Sequence, residues 1–196
     1  ALPILEDNPG IDQVEYRKSL DQLDHLTRAQ LLNGDWDVLP AGGLFKREWF
    51  TEPGRIIDAA DVPKGGRSIR YWDLAATVPK PGKDPDWTAG AKVTLKDGVY
   101  YIEDIKRKQG SPMQIEQLIR ETADIDGKSV AIRMEQEGGA SGVNTIDAYS
   151  RRVLVGFDFQ GHRKTGDKKE MSRPVSAAAE QGNVRLVRGA WVGPYL

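Results

Sequence analysis

The chain has 196 residues, of which 39% are hydrophobic and 29% charged, and it carries a net charge of −1. This length leaves room for one ordinary domain plus an arm, and the composition excludes the disordered class of protein. No apolar run approaches the roughly 20 residues that a membrane span needs, and residues 1–7 lack the basic and long apolar stretches of a secretory signal.

The content of cysteine and histidine limits the metal chemistry that the chain can support. There are no cysteines, which excludes disulfides and thiolate metal sites and favours a reducing cytoplasm. The two histidines, His25 and His162, lie far apart in the sequence and do not suggest a zinc site. Any metal is therefore expected to be a hard cation held by carboxylates.

Charge is distributed unevenly along the chain. Residues 1–56 hold 10 acidic and 6 basic side chains, a balance of −4, whereas residues 151–196 hold 4 acidic and 9 basic ones, a balance of +5. Such asymmetry can mark an end that faces a polyanion, and it is equally compatible with an unevenly charged, solvated surface.

The first 65 residues are predicted to form a helix and a linker arm. Asp12 is a candidate helix cap, apolar residues follow at near-helical spacing, and Gly34 ends the pattern. Pairs of glycine and proline then punctuate a loop-rich segment in which Phe45, Trp49 and Phe50 are expected to dock onto a core. The domain boundary is predicted near Gly65.

The rest of the chain, 66–196, is predicted to form a mixed sheet flanked by helices. Strands are expected at 68–75, 88–95 and 99–105, with Asp97-Gly98 as a hairpin turn between the last two. A helix beginning at Pro112 is followed by further predicted elements, which are a strand at 129–134, a helix at 142–152, a strand at 153–157, a helix at 168–181 and a strand at 184–187. An antiparallel meander followed by alternating helices and strands is the element order of the ribonuclease-H-like α/β fold.

Two acids are predicted to end neighbouring strands of this sheet. Asp73 lies near the end of the first strand of the domain and Glu135 ends the fourth, shortly before the glycines at 138 and 139. Side by side, two such carboxylates repel each other unless a proton or a cation lies between them. A carboxylate pair of this kind suits two-metal phosphodiester hydrolysis, since hard oxygen ligands hold divalent ions and leave positions open for a phosphate.

Simpler roles for these acids stay open. Strand-end acids commonly form salt bridges or turns, so Asp73 and Glu135 do not establish a catalytic site by their spacing alone. Asp86 opens the next strand near the same edge, where it is either a further metal ligand or the cap of the hairpin.

Several segments resemble the C-terminal nuclease part of phage terminase large subunits. The resemblance covers nearly the whole chain, and the order and spacing of its pieces are more specific than any one of them. The pieces are Tyr-Arg-Lys-Ser-Leu at 16–20, Gly-Asp-Trp at 34–36, the aromatic segment 43–50, Trp-Asp-Leu-Ala-Ala at 72–76, Asp-Trp-Thr-Ala-Gly at 86–90, the glycine-rich segment 135–142 and the basic segment 166–184.

The resemblance implies a metal-dependent endonuclease that cuts concatemeric DNA. Asp73 and Glu135 would be its catalytic metal ligands for Mg²⁺ or Mn²⁺, with Asp86 a weaker ligand candidate; Glu137 could substitute, but the family pattern favours Glu135. Its implied partners are double-stranded DNA, the terminase small subunit, the portal protein and an ATPase domain of the same polypeptide. As a phage or prophage protein, it would act in the cytoplasm of the host. The side chains expected to face DNA phosphates are Lys168, Lys169, Arg173 and, as further candidates, Arg163 and Lys164; a solvated helix face is the simpler alternative.

The chain departs from the family pattern in two ways. No phosphate-binding glycine-rich loop ending in Gly-Lys-Ser/Thr occurs, so this chain is not expected to hydrolyse ATP. The family's closing acidic pair also has no counterpart after residues 191–196, and Asp158, which follows the predicted fifth strand, does not match that motif. The resemblance therefore implies a fragment truncated at its C-terminus, which binds Mg²⁺ or Mn²⁺ weakly and cuts DNA poorly or not at all.

Two other functions stay open at this point. One is a non-catalytic module that docks DNA or the portal within the packaging motor. The other is a different ribonuclease-H-like nuclease, such as a resolvase or transposase, against which the segment before the first strand and the basic motif 168–173 both argue.

Overall fold

The computed structural model describes residues 44–75, 86–163 and 166–196. The helix predicted after Asp12, most of the segment before Phe45, and Lys164 lie outside these residues. None of the helices in the three described ranges combines the length and the apolar character that crossing a bilayer requires.

A seven-stranded mixed sheet organises the described residues. Its order is β1-β7-β4-β3-β2-β5-β6, and β3 alone runs against the other six strands. This arrangement confirms the predicted α/β class and the mixed sheet. The strands are β1 (Ile56–Ile57), β2 (Arg67–Asp73), β3 (Thr88–Lys96), β4 (Val99–Lys108), β5 (Ala131–Gln136), β6 (Phe159–Arg163) and β7 (Val184–Val187).

Helices cover both faces of this sheet. They are α1 (Glu48–Thr51), α2 (Pro112–Asp126), α3 (Gly139–Ala148), α4 (Lys168–Glu180) and α5 (Val192–Tyr195), together with a 3-10 turn (Ala59–Asp61) and a π-helical turn (Tyr149–Val153) that continues α3. Ser111 caps α2 in a capping box with Gln114, and Pro112 occupies the first turn as predicted.

The β3–β4 hairpin follows from the sequence of its turn. Asp97 and Gly98 both have positive φ, 50° and 79°, which is the backbone of a two-residue type I′ turn. Glycine adopts this conformation without a steric penalty, and aspartate tolerates it better than most residues. The turn therefore fixes the register that joins the two longest strands of the sheet.

One hydrophobic core lies between the sheet and helices α2 and α3. Trp72 of β2 and Met134 of β5 are both almost completely buried, and they pack with the apolar face of α2. The predicted inner positions of α2, Ile115 and Ile119, are at the centre of this core. The strands that carry Asp73 and Glu135 are thus anchored by the residues directly preceding those acids.

A second core lies on the opposite face of the sheet, under α4. Phe50 of α1 packs there with Ile102 and Leu186, as expected for an aromatic residue that docks the first segment. Residues 56–57 also pair with β7 as a strand of the same sheet. The described part of the predicted linker therefore contributes a strand and core side chains to the sheet, while the boundary near Gly65 stays a prediction.

The predicted strand at 153–157 is wrong. Val153 and Leu154 instead complete the buried face of the π-helical turn, because Tyr149 and Val153 lie one turn apart and both pack into the first core. The strand comes later, as Phe159–Arg163, and is a polar edge strand beside β5. A short apolar run does not by itself distinguish a buried helix end from a strand.

Arg70 of β2 forms a buried polar network within the first core. Its guanidinium donates two hydrogen bonds to Asp126 at 2.7 and 3.0 Å and one to the Asp104 carboxylate at 2.8 Å, and it is 1% exposed. Asp126 is the last residue of α2. The network therefore ties the C-terminal end of α2 to β2 and β4 on the face opposite Asp73.

Candidate metal and nucleic-acid site

Asp73 is the last residue of β2 and Glu135 the last but one of β5, and the two strands lie side by side. β2 and β5 pair in parallel, and the last registered partners are Trp72 and Met134, the residues directly before the two acids. Because paired residues of neighbouring strands project to the same side of the sheet, both acids occupy the same edge and the same face. The predicted adjacency of these strands is confirmed.

The end of β2 is held in place by β3. The backbone N–H of Ala75 donates to the hydroxyl of Thr88 at 2.9 Å, and Thr88 is completely buried. Asp73 itself pairs with Ala89 across the same two strands. The backbone that carries this acid is therefore fixed on both sides, by β3 and by β5.

Lys168, the first residue of α4, forms an ion pair with Asp73. Its ammonium lies 3.0 Å from a carboxylate oxygen of Asp73, and both side chains are about half exposed, 62% and 48%. The hydrogen bond from Lys168 and the charge of Asp73 raise the pKa of Lys168, and the charges of Glu135 and Asp86 add to this. The carboxylates of Asp73, Glu135 and Asp86 thus all stabilise the charged ammonium of Lys168.

Asp86 lies at the edge where sequence analysis placed it. It is exposed and stands two residues before β3, and its charge acts on Lys168. Among the described residues, however, no three acids or histidines form a group ready to hold a metal ion. The role of Asp86 as a ligand therefore stays a prediction.

A cleft of about 180 Å³ opens beside the two acids. Asp73, Glu135 and Glu137 line it together with the first turns of α3. Gly142 brings α3 close to the end of β5, because a Cβ at this position would lie 2.1 Å from the carbonyl oxygen of Glu137. The glycine-rich segment after Glu135 thus shapes one wall of the cleft.

The acids and the cleft fit a hard divalent cation by their chemistry. Carboxylate oxygens are the ligands that Mg²⁺ and Mn²⁺ prefer, and Asp73 already binds a cationic ammonium in this structure. Asp73 and Glu135 are the residues that would hold the ion, with Glu137 on the same cleft.

His162 also lies at this edge, a position that was not predicted from the sequence. It pairs with Glu135 across β5 and β6, and its ring lies 6.5 Å from that of Tyr71, two residues before Asp73. Partial burial raises the pKa of the Tyr71 phenol, and the charges of Glu135 and Asp73 raise it further. Placing the sixth strand at 159–163 would have identified His162; the mistaken strand at 153–157 concealed it.

Asp158 lies at the opposite end of the sheet. It stands directly before β6, where Arg133 donates to both of its carboxylate oxygens at 3.1 Å. Asp158 lies four residues before His162, the β6 partner of Glu135. At about 3.3 Å per residue, this places Asp158 roughly 13 Å from Glu135 along the strand. Asp158 therefore does not belong to the site formed by Asp73 and Glu135.

The predicted DNA-facing residues lie on α4 or near the sheet edge that carries Asp73 and Glu135, which we call the acid edge. Lys169 and Arg173 are exposed on α4, and Arg163 is exposed at the end of β6. Lys168 differs from them because its ammonium already contacts Asp73. DNA binding by all four stays a prediction.

Comparison with known proteins identifies the family. The family model described as the terminase RNaseH-like domain matches residues 70–196. A search of curated proteins finds no match.

Solved terminase structures resemble the chain at low sequence identity. The large terminase of thermophilic bacteriophage D6E matches with a TM-score of 0.63 and 13% identity, over 94% of this chain and 42% of its own. The nuclease domain of the P22 large terminase matches with a TM-score of 0.51 and 11% identity, over 78% of this chain and 77% of its own. The Mn-bound nuclease domain of the bacteriophage SPP1 large terminase scores 0.45 at 16% identity, over 67% and 68%.

The chain spans less than half the length of the D6E large terminase. At these identities the structural likeness concerns the fold, which is the ribonuclease-H-like fold that the order of elements predicted. The family model covers about two thirds of the chain and includes both strand-end acids. The chain thus belongs to the terminase RNaseH-like domain family.

Proposed function

We propose that the chain is the DNA endonuclease part of a viral packaging terminase large subunit, which cuts concatemeric genomic DNA by metal-dependent phosphodiester hydrolysis. The observation that carries the proposal is the meeting of Asp73 and Glu135 at the carboxyl ends of two neighbouring parallel strands. Membership of the terminase family supports DNA as the substrate. In open α/β sheets, ligands bind outside this same edge of the strands.

Asp73 and Glu135 would hold Mg²⁺ or Mn²⁺, with Asp86 or Glu137 as further ligands. When bound, two such ions supply the Lewis acidity that activates water and stabilises negative charge on the leaving oxygen. The protein's own contribution is to fix the acids: Thr88 holds the end of β2, and the first core holds the residues before both acids.

Lys168 has two roles in this proposal. Without an ion it neutralises Asp73 through the 3.0 Å ion pair and so reduces repulsion between the acids. With the acids occupied, its ammonium is released toward the phosphate backbone of DNA. Lys169, Arg173 and Arg163 would contact further phosphates without reading sequence.

The wider setting of the proposal follows the family. The chain would act in the host cytoplasm, joined to an ATPase domain of the same polypeptide and working with the terminase small subunit and the portal protein. Its DNA cutting would show little sequence preference, because the proposed contacts are to phosphates and not to bases.

A single substitution, Asp73→Asn, tests the proposal. Any nicking of supercoiled plasmid by the wild-type chain with Mn²⁺ should be lost, and the heat of Mn²⁺ binding should fall, because one carboxylate charge is removed from the edge. Binding of duplex DNA in EDTA should persist. Asp158→Asn is the matched control, since it removes the same charge at the opposite end of the sheet.

The alternative function is a docking module without catalysis, and it predicts that Asp73→Asn changes neither nicking nor Mn²⁺ binding. It is favoured by the absence of a ready three-ligand group among the described residues. If plasmid nicking and Mn²⁺ binding are the same in Asp73→Asn as in the wild-type chain, the nuclease proposal fails and the docking module remains.

A further inference from the structure

Arg107 of β4 lies at the same position along the sheet as the acid pair, Asp73 and Glu135. Asp73 pairs with Ala89 on β3, and Ala89 pairs with Arg107 on β4. Residues paired directly across strands project to the same face of the sheet. Arg107 therefore shares both the edge and the face of Asp73, on the side away from Glu135.

Trp87 holds the Arg107 guanidinium on this face. The guanidinium carbon lies 4.8 Å from the centre of the indole ring, which is a cation–π contact. Both side chains are exposed, Trp87 to 44%. In the part of the chain that the structure describes, no carboxylate forms an ion pair with Arg107, so its charge is available to a ligand.

The spacing between Arg107 and Asp73 suits one DNA strand. Two strand-to-strand steps of about 4.8 Å place their backbones roughly 10 Å apart. Because a DNA strand rises about 3.4 Å along the axis per nucleotide and its phosphates lie further apart than this rise, a span of roughly 10 Å joins phosphates that are near neighbours on one strand. A phosphate at the acids and a phosphate at Arg107 can therefore belong to the same strand.

We infer that Arg107, oriented by Trp87, binds a backbone phosphate of the DNA that is a near neighbour, on the same strand, of the phosphate at Asp73 and Glu135. The surface formed by Trp87 and Arg107 is thus a second anchoring point for the DNA, on the opposite side of Asp73 from Glu135. The inference rests on the proposed function, because it takes the acid edge as the place of cutting. A planar, weakly hydrated guanidinium stacked on an aromatic ring is well suited to phosphate recognition.

The neighbouring Lys106 provides a matched control. It carries the same charge one residue earlier, on the opposite face of β4, and it forms an ion pair with Asp104 at 3.1 Å. Lys106→Ala and Arg107→Ala therefore produce chains of equal net charge. A general effect of charge would weaken DNA binding equally in both, whereas a phosphate contact at Arg107 would separate them.

The test measures binding of a fluorescent duplex by the 196-residue chain in EDTA, from about 50 to 200 mM salt. Arg107→Ala should lower the affinity several-fold and reduce the slope of log K against log salt by about 0.9, the value for one phosphate contact. Lys106→Ala should change the slope much less. Arg107→Lys, which keeps the charge but loses the planar contact with Trp87, should fall between wild type and Arg107→Ala.

Equal slopes for Arg107→Ala and Lys106→Ala, or an unchanged slope in Arg107→Ala, would overturn the inference. Nicking by Asp73→Asn separates this result from failure of the proposed function. If the inference alone fails, Asp73→Asn still abolishes nicking. If the proposed function alone fails, Arg107→Ala still reduces the salt slope while Asp73→Asn leaves nicking unchanged.

Discussion

Replacing Lys168 with alanine is expected to change metal binding and DNA binding in opposite directions. A divalent ion at Asp73 must displace the ammonium that lies 3.0 Å from that carboxylate. The ion pair is about half exposed, so solvent screening limits its contribution to about 0.2–1 kcal/mol. With about 1.4 kcal/mol per tenfold change in affinity, Lys168→Ala should tighten Mn²⁺ binding by about 1.4- to 5-fold.

The assay is calorimetric titration of Mn²⁺ into the chain at fixed neutral pH and ionic strength. Lys169→Ala is the control, because Lys169 is exposed in the same helical turn and has the same charge. The duplex affinity of Lys168→Ala should fall in the same buffer with EDTA, because Asp73 then lacks the ammonium that neutralises it, and its carboxylate repels the DNA phosphates. Unchanged or weaker Mn²⁺ binding in Lys168→Ala would refute the idea that the lysine and the metal compete for Asp73.

Three further predictions concern the scaffold of the site. Arg70→Ala should lower the free energy of unfolding by about 3–5 kcal/mol in urea denaturation, because it leaves the buried Asp126 carboxylate with Lys92, at 3.9 Å, as its remaining ion-pair partner among the described residues; a loss under 1 kcal/mol would contradict this. Burial raises the pKa of the Tyr149 phenol to about 12, with a smaller contribution from a nearby carboxylate. The unfolded chain releases this proton near pH 10, so stability present below pH 10 should fall between about pH 10 and 12, by at most about 1.4 kcal/mol per pH unit. Tyr149→Phe should make that fall shallower, and an identical pH profile would refute the assignment. Gly142→Ala should cost about 1–3 kcal/mol and weaken Mn²⁺ binding, because its Cβ would meet the Glu137 carbonyl oxygen. The control is Gly138→Ala, whose Cβ meets no described atom within 4 Å and which should leave both measurements near wild type.

Local sequence signals were sufficient to predict most of the sheet. The Asp97-Gly98 turn set the hairpin, and the proline and apolar spacing of α2 set its start and its buried face. Trp72 and Met134 are buried and pair with each other, and the acids that follow them lie at the strand ends that were predicted. The edge that carries these acids was predictable because Asp73 lies near the end of the first predicted strand of the domain and Glu135 directly follows residues 129–134, the fourth.

Contacts between distant segments could not be predicted in the same way. Ile56 and Ile57 form a strand only because β7 lies beside them, and two residues carry no periodic pattern. The ion pair of Lys168 with Asp73 joins residues 95 positions apart, and no local signal links them. Arg107 could be aligned with Asp73 only after the register of β3 between them was known.

The two hydrophobic cores hold the acids of the site and Lys168 to different degrees. Asp73 and Glu135 follow residues that are buried in the core under α2 and α3, whereas Lys168 begins a helix that packs on the core of the other face. Fraying of the first turn of α4 can therefore withdraw the lysine while the backbone of both acids stays rigid. In hydrogen exchange, the amides at the start of α4 should open at a lower free energy than those of β2 and β5.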